Sequence, residues 1–274
     1  MKMKWLTFLL VAMVGCATPL FAEIELEEEV PEFNIDELSA NEILVRARAM
    51  FPQERFLVEG ELSVERTRGA VESSYPYTLS LDWAGTVPTA VCTLFTNEYK
   101  HTALMKAQMT RTEQGEPTLT FINDDGSLLE VKNLNTPVGE SDLSWIDLAF
   151  DYLWWPNVRK LSEEECEQRE IKPRQIGRNC VVLEVYPPVA TPGLGSMLLW
   201  ADRSTGFVIQ TQYLNEQGAP VRRLWVQRLG RENGRWVPRL FSVQRAGEKR
   251  PRKTHLRIYT ITSDHFSVER LEDE

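Results

Sequence analysis

The side chains that could do acid–base or metal chemistry are few and scattered in this sequence. Its three histidines, His101, His255 and His265, are far apart, and each lies near a predicted β-strand. The sequence has no His-Glu-x-x-His motif, no Cys-x-x-Cys motif and no glycine-rich phosphate loop. The segment Gly193–Ser196 does not match the Gly-x-Ser-x-Gly nucleophile elbow and is better explained as a turn. We therefore expect a protein that is not an enzyme, with no metal and no cofactor.

Tryptophan is the conspicuous residue type, and it is concentrated in residues 140–156, ESDLSWIDLAFDYLWWP, which we call the cover segment. Apolar residues spaced three or four apart predict one amphipathic helix there. It would begin at the N-cap Ser141 and end at Trp155, because a proline follows. Ser144 with Asp147 is a second candidate start.

The elements that must position this segment are mainly β-strands. Residues 56–65 alternate apolar and polar side chains, which indicates an antiparallel strand with one wet face, and Gly60 marks a bend or bulge in it. A capping box at Ser39–Glu42 opens a helix that ends before Pro52. Further strands are predicted at 75–83, 90–96, 102–112, 117–122, 128–132, 180–186, 197–201, 207–214, 221–229, 235–245 and 253–262.

These patterns predict a mainly β (α+β) protein: one large antiparallel curled sheet, or half-open β-barrel, of about eleven strands covered by a few helices. The concave face of such a sheet is a cavity or groove, and the cover segment is its natural cover. The segment either plugs an ordinary core or forms a lid over a cavity that holds an apolar ligand. The residues predicted to contact that ligand are Trp145, Ile146, Phe150 and Trp154 from the cover, with Trp83 and Trp200 from the sheet.

The N-terminus has the pattern of an export signal. Two lysines precede an apolar run, and the segment ends at Ala22, which predicts a signal peptide at 1–22. Met13–Cys16 also resembles a bacterial lipobox, in which Cys16 would be lipidated and anchor the protein. An acidic leader at 23–37 and one domain at 38–274 follow.

The net charge of the chain indicates which classes of partner it can bind. Cleavage after Ala22 removes Lys2 and Lys4 and no acidic residue, so the net charge falls from −9 to −11. An acidic surface disfavours nucleic acid and anionic lipid head groups. We expect an exported, water-soluble protein, monomeric, in the periplasm.

Three cysteines remain after that cleavage. An oxidising compartment permits disulfides, and Cys166 and Cys180 flank one loop, so they are the predicted pair. Cys92 alternates with apolar residues on one face of a strand, and we expect a buried free thiol there.

The second half of the chain carries a recognisable set of residues. A Trp-x-Asp…Gly…Gln-x-x-Tyr…Gly hairpin precedes a Trp-Val-Pro strand, then a strand that starts with threonine and a late phenylalanine. The residues are Trp200, Asp202, Gly206, Gln210, Tyr213, Gly218, Trp236–Pro238, Thr254 and Phe266. With the capped helix and the cover segment, the chain resembles a divergent branch of the LolA-like family of periplasmic outer-membrane lipoprotein-sorting proteins over roughly residues 38–271.

The resemblance implies a half-closed β-barrel whose cavity shields the acyl chains of a lipoprotein or lipid from water. It further implies a non-enzymatic carrier, with an inner-membrane exporter and an outer-membrane acceptor as partners. A lipid- or lipoprotein-sensing module of the same fold, anchored through Cys16, is the alternative. In carriers of this family an arginine holds the lid shut, and no residue of this sequence aligns with it.

Overall fold

The computed structural model of the protein describes most of the chain after residue 33. The described residues belong to one unit, Phe33–Glu274, whereas the other unit, Met1–Glu32, lies outside them. The predicted signal peptide, Cys16 and most of the acidic leader therefore fall outside the described residues. The described ranges are 34–66, 69–84, 87–96, 102–112, 115–131, 133–232, 235–247, 252–263 and 267–268.

The segments in which apolar and polar residues alternate form the strands of the sheet, as predicted. The strands are β1 Phe56–Glu65, β2 Val71–Asp82, β3 Thr89–Phe95, β4 Ala103–Arg111, β5 Pro117–Ile122, β6 Leu128–Val131, β7 Asn157–Lys160, β8 Arg174–Gln175, β9 Arg178–Tyr186, β10 Ser196–Asp202, β11 Val208–Leu214, β12 Pro220–Glu232, β13 Arg235–Arg245, β14 Lys253–Ser263 and β15 Ser267–Val268. The helices are α1 Ala40–Ala49, α2 Trp145–Leu148 and α3 Glu163–Gln168, with single 3₁₀ turns at Ile35–Glu37 and Asp151–Trp154.

The strands form one antiparallel sheet in the order β6-β5-β4-β3-β2-β1-β14-β13-β12-β11-β10-β9-β7, with β8 and β15 paired beside it. Two up-and-down halves meet where β1 pairs with β14. Within the described ranges β6 and β7 do not pair, so the sheet is curled and unclosed. The predicted fold class is confirmed. The structure has three strands that alternation did not predict, β7, β8 and β15, because they are too short or too polar for the pattern to be visible.

Helix α1 forms where its capping box predicts it. Ser39 accepts a hydrogen bond from the Glu42 backbone, and the Glu42 carboxylate accepts one from the Ser39 backbone. The end of the predicted acidic leader already packs on this unit, because Ile35 is buried in its core. The apolar face of α1 carries Ile43, which is likewise buried.

The cover segment is not one continuous helix, and this prediction was wrong. The actual start is the second candidate: Ser144 caps α2 in a capping box with Asp147, while the Ser141 hydroxyl donates to the Val138 carbonyl oxygen. The helix ends after one turn because Phe150 adopts the left-handed conformation, with φ of 52°. A 3₁₀ turn, Asp151–Trp154, completes the segment.

The predicted Cys166–Cys180 disulfide is not present in the structure, where both residues are free, buried thiols. Burial raises the pKa of both thiols, that of Cys180 to about 12, and so favours the protonated form. Both side chains nevertheless line one cavity, described below. Cys92 is a buried free thiol, as predicted.

Gly60 lies at a bulge in β1, as its place on the apolar face predicts. The register with β14 shifts between Glu59 and Gly60. A Cβ atom on Gly60 would lie 1.9 Å from the Arg257 carbonyl oxygen and 2.8 Å from the Tyr77 ring. Only glycine therefore fits where the two halves of the sheet meet.

A buried carboxylate ties the far end of the sheet together. Glu184 on β9 accepts hydrogen bonds from Arg159 on β7, from Arg169 beyond α3 and from Ser196 on β10, at 2.6–3.2 Å. Burial alone would raise the pKa of Glu184, but these donors outweigh it and lower the pKa to about 2.

We expect Gly60→Ala to destabilise the protein by at least about 2 kcal/mol, because the new Cβ must displace backbone at the β1–β14 junction. Chemical denaturation measures the loss. Gly69→Ala is the comparison: nothing lies within 4 Å of its new atom, but its φ of 78° is left-handed, so this variant measures backbone strain of about 1 kcal/mol without a steric clash and should cost less than Gly60→Ala. Equal stability of wild type and Gly60→Ala would contradict this close approach.

The Glu184 cluster should also make the stability of the protein depend on pH. Because the folded-state pKa of Glu184 lies below its unfolded value, its contribution is complete above about pH 4.5 and is lost as pH falls toward 2. The contribution is roughly 3 kcal/mol. Thermal midpoints measured from pH 7 to pH 2 should show a shallower decline for Glu184→Gln than for wild type. Parallel curves would show that this carboxylate is not the titrating group.

Candidate functional site

An apolar cavity lies between the concave face of the sheet and the residues that cover it. The sheet contributes side chains of β1, β2, β13 and β14, and the cover contributes Phe150 and residues 50–52. The volume of this cavity is about 40 Å³. The lining is Met50, Phe51, Pro52, Phe56, Val58, Tyr77, Leu79, Leu81, Phe150, Phe207, Val237, Pro238, Leu256, Ile258 and Ile261.

The cavity wall offers almost nothing for a polar ligand. Tyr77 carries the only side-chain oxygen in the lining, and its hydroxyl donates to the Arg257 carbonyl oxygen at 3.3 Å. The remaining side chains are aliphatic or aromatic. Such a wall selects a ligand by the apolar area that it removes from water.

Phe51 is the centre of an aromatic cluster at this cavity. Its ring centroid lies 4.8 Å from that of Trp83, 5.0 Å from Phe150 and 5.8 Å from Phe207. Trp154 joins through Trp83, with centroids 5.8 Å apart. These spacings are typical of tilted and edge-to-face aromatic pairs, which stabilise a fold by more than the burial of their apolar area alone.

The structure separates the six predicted ligand residues into two groups. Phe150 lines the cavity, and Trp83 and Trp154 belong to the aromatic cluster around it. The other three do not line it: Trp145 packs on Phe121 of β5, and the Trp200 indole donates to the Lys172 carbonyl oxygen at 2.9 Å. Ile146 is buried in the core beside Trp145.

The residues that sequence analysis missed are Met50, Phe51 and Pro52, directly after α1. Their signal is present in the sequence: three apolar residues follow a helix end where polar residues usually stand. Phe51 is only partly buried although it contacts four aromatic rings. These residues form the part of the cover nearest to solvent.

Arginines latch the C-terminal end of the cover segment. Arg48 of α1 donates to the Leu153 carbonyl oxygen at 2.5 Å, and its guanidinium lies 4.5 Å from the centre of the Trp154 ring. Arg111 of β4 pairs with Asp151 at 2.5 Å, and the Trp155 indole donates to the same carboxylate at 2.7 Å. Burial raises the pKa of Asp151, against the effect of Arg111.

The other end of the segment is held by a buried polar network. The Asp147 carboxylate accepts hydrogen bonds from the Tyr213 hydroxyl at 2.5 Å, from Ser144 at 2.8 Å and from Arg222 at 3.0 Å. Arg222 also donates to Asn135 and lies 3.6 Å from the centre of the Tyr213 ring. Burial lowers the pKa of Arg222, but Asp147 and Tyr213 outweigh it and the net shift is upward. Burial keeps Tyr213 protonated by raising its pKa.

This network explains part of the sequence motif. Tyr213 is the tyrosine of Gln-x-x-Tyr, and it contacts the cover rather than a ligand. Asp202 accepts hydrogen bonds from the backbones of Ser204 and Thr205, which forms the turn that Gly206 completes at φ of 80°. The motif therefore builds the hairpin that carries Tyr213 to the cover.

A second cavity, with a volume of about 450 Å³, lies between α3, β7 and β9. Its floor is apolar and includes Cys166, Cys180 and Val182, whereas its mouth carries charged groups such as Lys160 and Glu163. Trp200 contributes to its wall indirectly, because its indole bonds Lys172 between two lining residues. The mixed lining distinguishes this cavity from the apolar one.

His255 takes part in a local arrangement that resembles a hydrolase triad. Its ring contacts the Ser242 hydroxyl at 2.9 Å and the Glu65 carboxylate at 3.4 Å. Ser242, however, is 0% exposed and donates to the Gln227 side-chain oxygen at 2.5 Å. Burial lowers the pKa of His255. The group is thus a structural contact on the face of the sheet opposite the apolar cavity.

The rest of the described chain adds no chemical centre to this picture. Across the described ranges, no three His, Cys, Asp or Glu side chains are placed to hold a metal ion. Within those same residues, no helix combines the length and hydropathy needed to cross a bilayer.

Comparisons with known proteins agree with this geometry. A family model described only as that of an uncharacterised protein matches residues 98–272. A search of curated proteins finds no match.

Three solved structures share the fold. A domain assigned as an outer membrane lipoprotein-sorting protein from Vibrio parahaemolyticus has 12% identity and a TM-score of 0.66, covering 82% of this chain and 92% of its own. A DUF1329 family protein from Desulfovibrio piger has 15% identity and a TM-score of 0.65, with the same coverage. A LolA superfamily protein from Nitrosomonas europaea has 14% identity and a TM-score of 0.60, covering 84% of this chain and 95% of its own. The LolA-like fold inferred from the sequence is thereby confirmed.

Replacing Arg222 should expose how strongly the buried network holds the cover. In Arg222→Met, Asp147 loses its only cationic partner among the described residues while it stays buried, and we expect a loss of about 3–5 kcal/mol of unfolding free energy. Adding Asp147→Asn should recover part of that loss, since it removes the uncompensated charge. Arg223→Met, whose guanidinium stacks on Trp225 on the exposed side, is the control and should cost under about 1 kcal/mol. Equal losses in the two arginine variants would refute the role of the network.

Proposed function

The chain belongs to the uncharacterised family whose model matches residues 98–272, and with its LolA-like fold we propose that it is an exported, non-enzymatic carrier of acyl chains. The acyl chains would be those of lipoproteins or lipids, taken into the apolar cavity for sorting toward the outer membrane. The observation that carries this proposal is the apolar wall, from β1, β2, β13 and β14, closed by an arginine-latched cover.

The energetics of such a site are direct. Each methylene removed from water gains about 0.8 kcal/mol, so a long acyl chain needs an apolar container to cross an aqueous space. The wall meets that need, because its one polar side chain, that of Tyr77, already donates its hydrogen bond to the Arg257 carbonyl oxygen. Release then requires a partner that offers the chain a better site, and an inner-membrane exporter and an outer-membrane acceptor are the proposed partners.

Loading requires the cover to move. The closed cavity has about 40 Å³, room for a few water molecules but not for an acyl chain. The contacts that must give way lie at the solvent side: Phe51 on its aromatic neighbours, and Arg48 on Leu153 and Trp154. The buried Asp147 network can stay intact during this movement and keep the cover attached.

Export is the remaining part of the proposal. The pattern of residues 1–22 supports cleavage after Ala22 and a periplasmic protein without an anchor. Mass spectrometry of the protein purified without detergent from its native envelope would show whether the chain begins at Glu23. A diacylglycerol-modified Cys16 would instead favour the anchored sensing module.

Narrowing the cavity should block acyl binding. Leu79→Trp adds bulk to the cavity wall, and we expect at least a tenfold loss of affinity for a fluorescent fatty-acyl probe in a titration without detergent. Trp145→Phe changes a buried aromatic residue outside that lining, so it should leave the affinity within about twofold. Arg48→Ala should speed probe association, because it removes the latch on Leu153.

Stability must be measured on the same variants. If the cover is a lid, Trp154→Ala should weaken probe binding and cost less than the roughly 3–5 kcal/mol of an aromatic residue in a tight core. A wild-type protein without saturable acyl binding, together with a core-sized loss for Trp154→Ala, would leave a structural β-domain and refute the carrier.

A further inference from the structure

The two free edges of the sheet are finished in different ways. At one edge β7 presents Asn157, Arg159 and Lys160, and its arginine pairs with Glu184 and Glu165. Lys160 donates to the Asp36 carbonyl oxygen at 2.8 Å, and α1 packs beside the strand. Charge and cover are the usual means by which natural sheets prevent further strand pairing.

The other edge is not covered by any other described residue, and Glu130 is its one charged side chain. Strand β6 has the sequence LLEV, and Leu128 and Leu129 are 70% and 57% exposed. They are the two successive leucines of an end strand that pairs only with β5 within the described residues. A hydrophobic, uncovered edge strand is costly in a soluble protein unless something pairs with it.

The backbone of β6 determines the shape of the missing element. Hydrogen-bonded and non-hydrogen-bonded pairs alternate along an antiparallel ladder, so every second residue of β6 directs its N–H and C=O away from β5. An extended chain satisfies such groups, and a helix does not. The geometry points to β6 as the docking site for an extended peptide segment of another protein, which would add a strand to the sheet.

The side chains of β6 indicate the chemistry of that segment. Leu129 is paired with Phe121 and Leu128 with Ile122, so residues opposite the two leucines gain apolar contact on both faces of the sheet. Glu130 lies between Leu129 and Val131 and favours a lysine or arginine opposite. The partner is therefore an apolar extended segment that carries a basic residue, which also suits a chain of net charge −9.

A second copy of this chain fits the edge less well. Two β6 strands would overlap for only four residues, about 13 Å. A stable dimer commonly buries at least about 1,200 Å², which so short a ladder does not supply. A flexible peptide does not need to bury so large an area on β6 alone, because it can extend its contacts beyond the strand.

The test uses a dye-labelled ten-residue peptide of valine, leucine and threonine with one central lysine. A second peptide has the same sequence but is methylated on the backbone nitrogen of alternate residues. We expect saturable binding of the unmodified peptide, measured by fluorescence anisotropy. The N-methylated peptide should bind at least tenfold more weakly, because its backbone hydrogen-bond donors are blocked. Hydrogen exchange of the β6 amides should slow on binding while exchange at β7 stays unchanged. No binding, or equal binding of both peptides, would overturn the proposal.

Variants then locate the site. Leu128→Lys with Leu129→Lys should lower peptide affinity at least tenfold without changing the melting temperature, since both side chains are exposed. Leu57→Lys, at a 40% exposed leucine of β1 that is paired on both sides, is the control and should bind as wild type. Glu130→Lys should weaken this peptide and strengthen a glutamate version. Unchanged affinity in the leucine variant, or concentration-dependent dimers that it abolishes, would overturn the peptide assignment. The outcome is independent of acyl binding.

Discussion

The Asp147 carboxylate is the interaction on which the cover depends. It is completely buried, and a buried carboxylate without partners would cost several kcal/mol. Ser144, Tyr213 and Arg222 supply those partners from the cover itself, from β11 and from β12. The helix cap and the attachment to the sheet therefore share one group, and neither can form correctly without the other.

That attachment divides the cover into two parts that are held by different contacts. Before the left-handed Phe150, α2 is fixed by the buried network and by full burial of Trp145. After it, the 3₁₀ turn is held by Arg48 and Arg111, and Trp154 is only partly buried. In the proposed movement of the cover, the Asp147 network is the end that stays fixed and the Arg48 contacts are those that break. The unusual φ of Phe150 marks the junction between them and directs the ring into the cavity.

Local signals in the sequence predicted local structure well. The alternation in β1 and the capping box of α1 both appear where expected, because each depends on residues within a few positions of one another. The cover segment was predicted wrongly in form, since apolar spacings of three and four fit both a long helix and a short helix followed by a 3₁₀ turn. Periodicity does not reveal that Phe150 leaves the helical region.

The site was only partly predictable for a related reason. Which aromatic residues meet the cavity depends on pairings between distant segments, such as Phe51 with Phe150 or Arg111 with Asp151. Composition identified the aromatic cover but could not separate Trp154 from Trp145. The two lie in the same segment, yet Trp154 packs on Trp83 near the apolar cavity and Trp145 packs on Phe121 of β5. Likewise, no alignment could supply the latch, because Arg48 acts through a backbone carbonyl oxygen that places no demand on its partner's side chain.

An unclosed sheet unites these features. A closed barrel would fix the volume of its interior, whereas a curled sheet with two edges can widen when the cover lifts. An unclosed sheet leaves two edges that can pair with other chains, and the described residues protect them unequally. Strand β7 carries two charged side chains and lies beside α1, whereas β6 is uncovered and carries one charge, Glu130. Because the sheet is not closed, the apolar residues of β6 stay exposed. A pairing partner at β6 would remove that liability without closing the sheet.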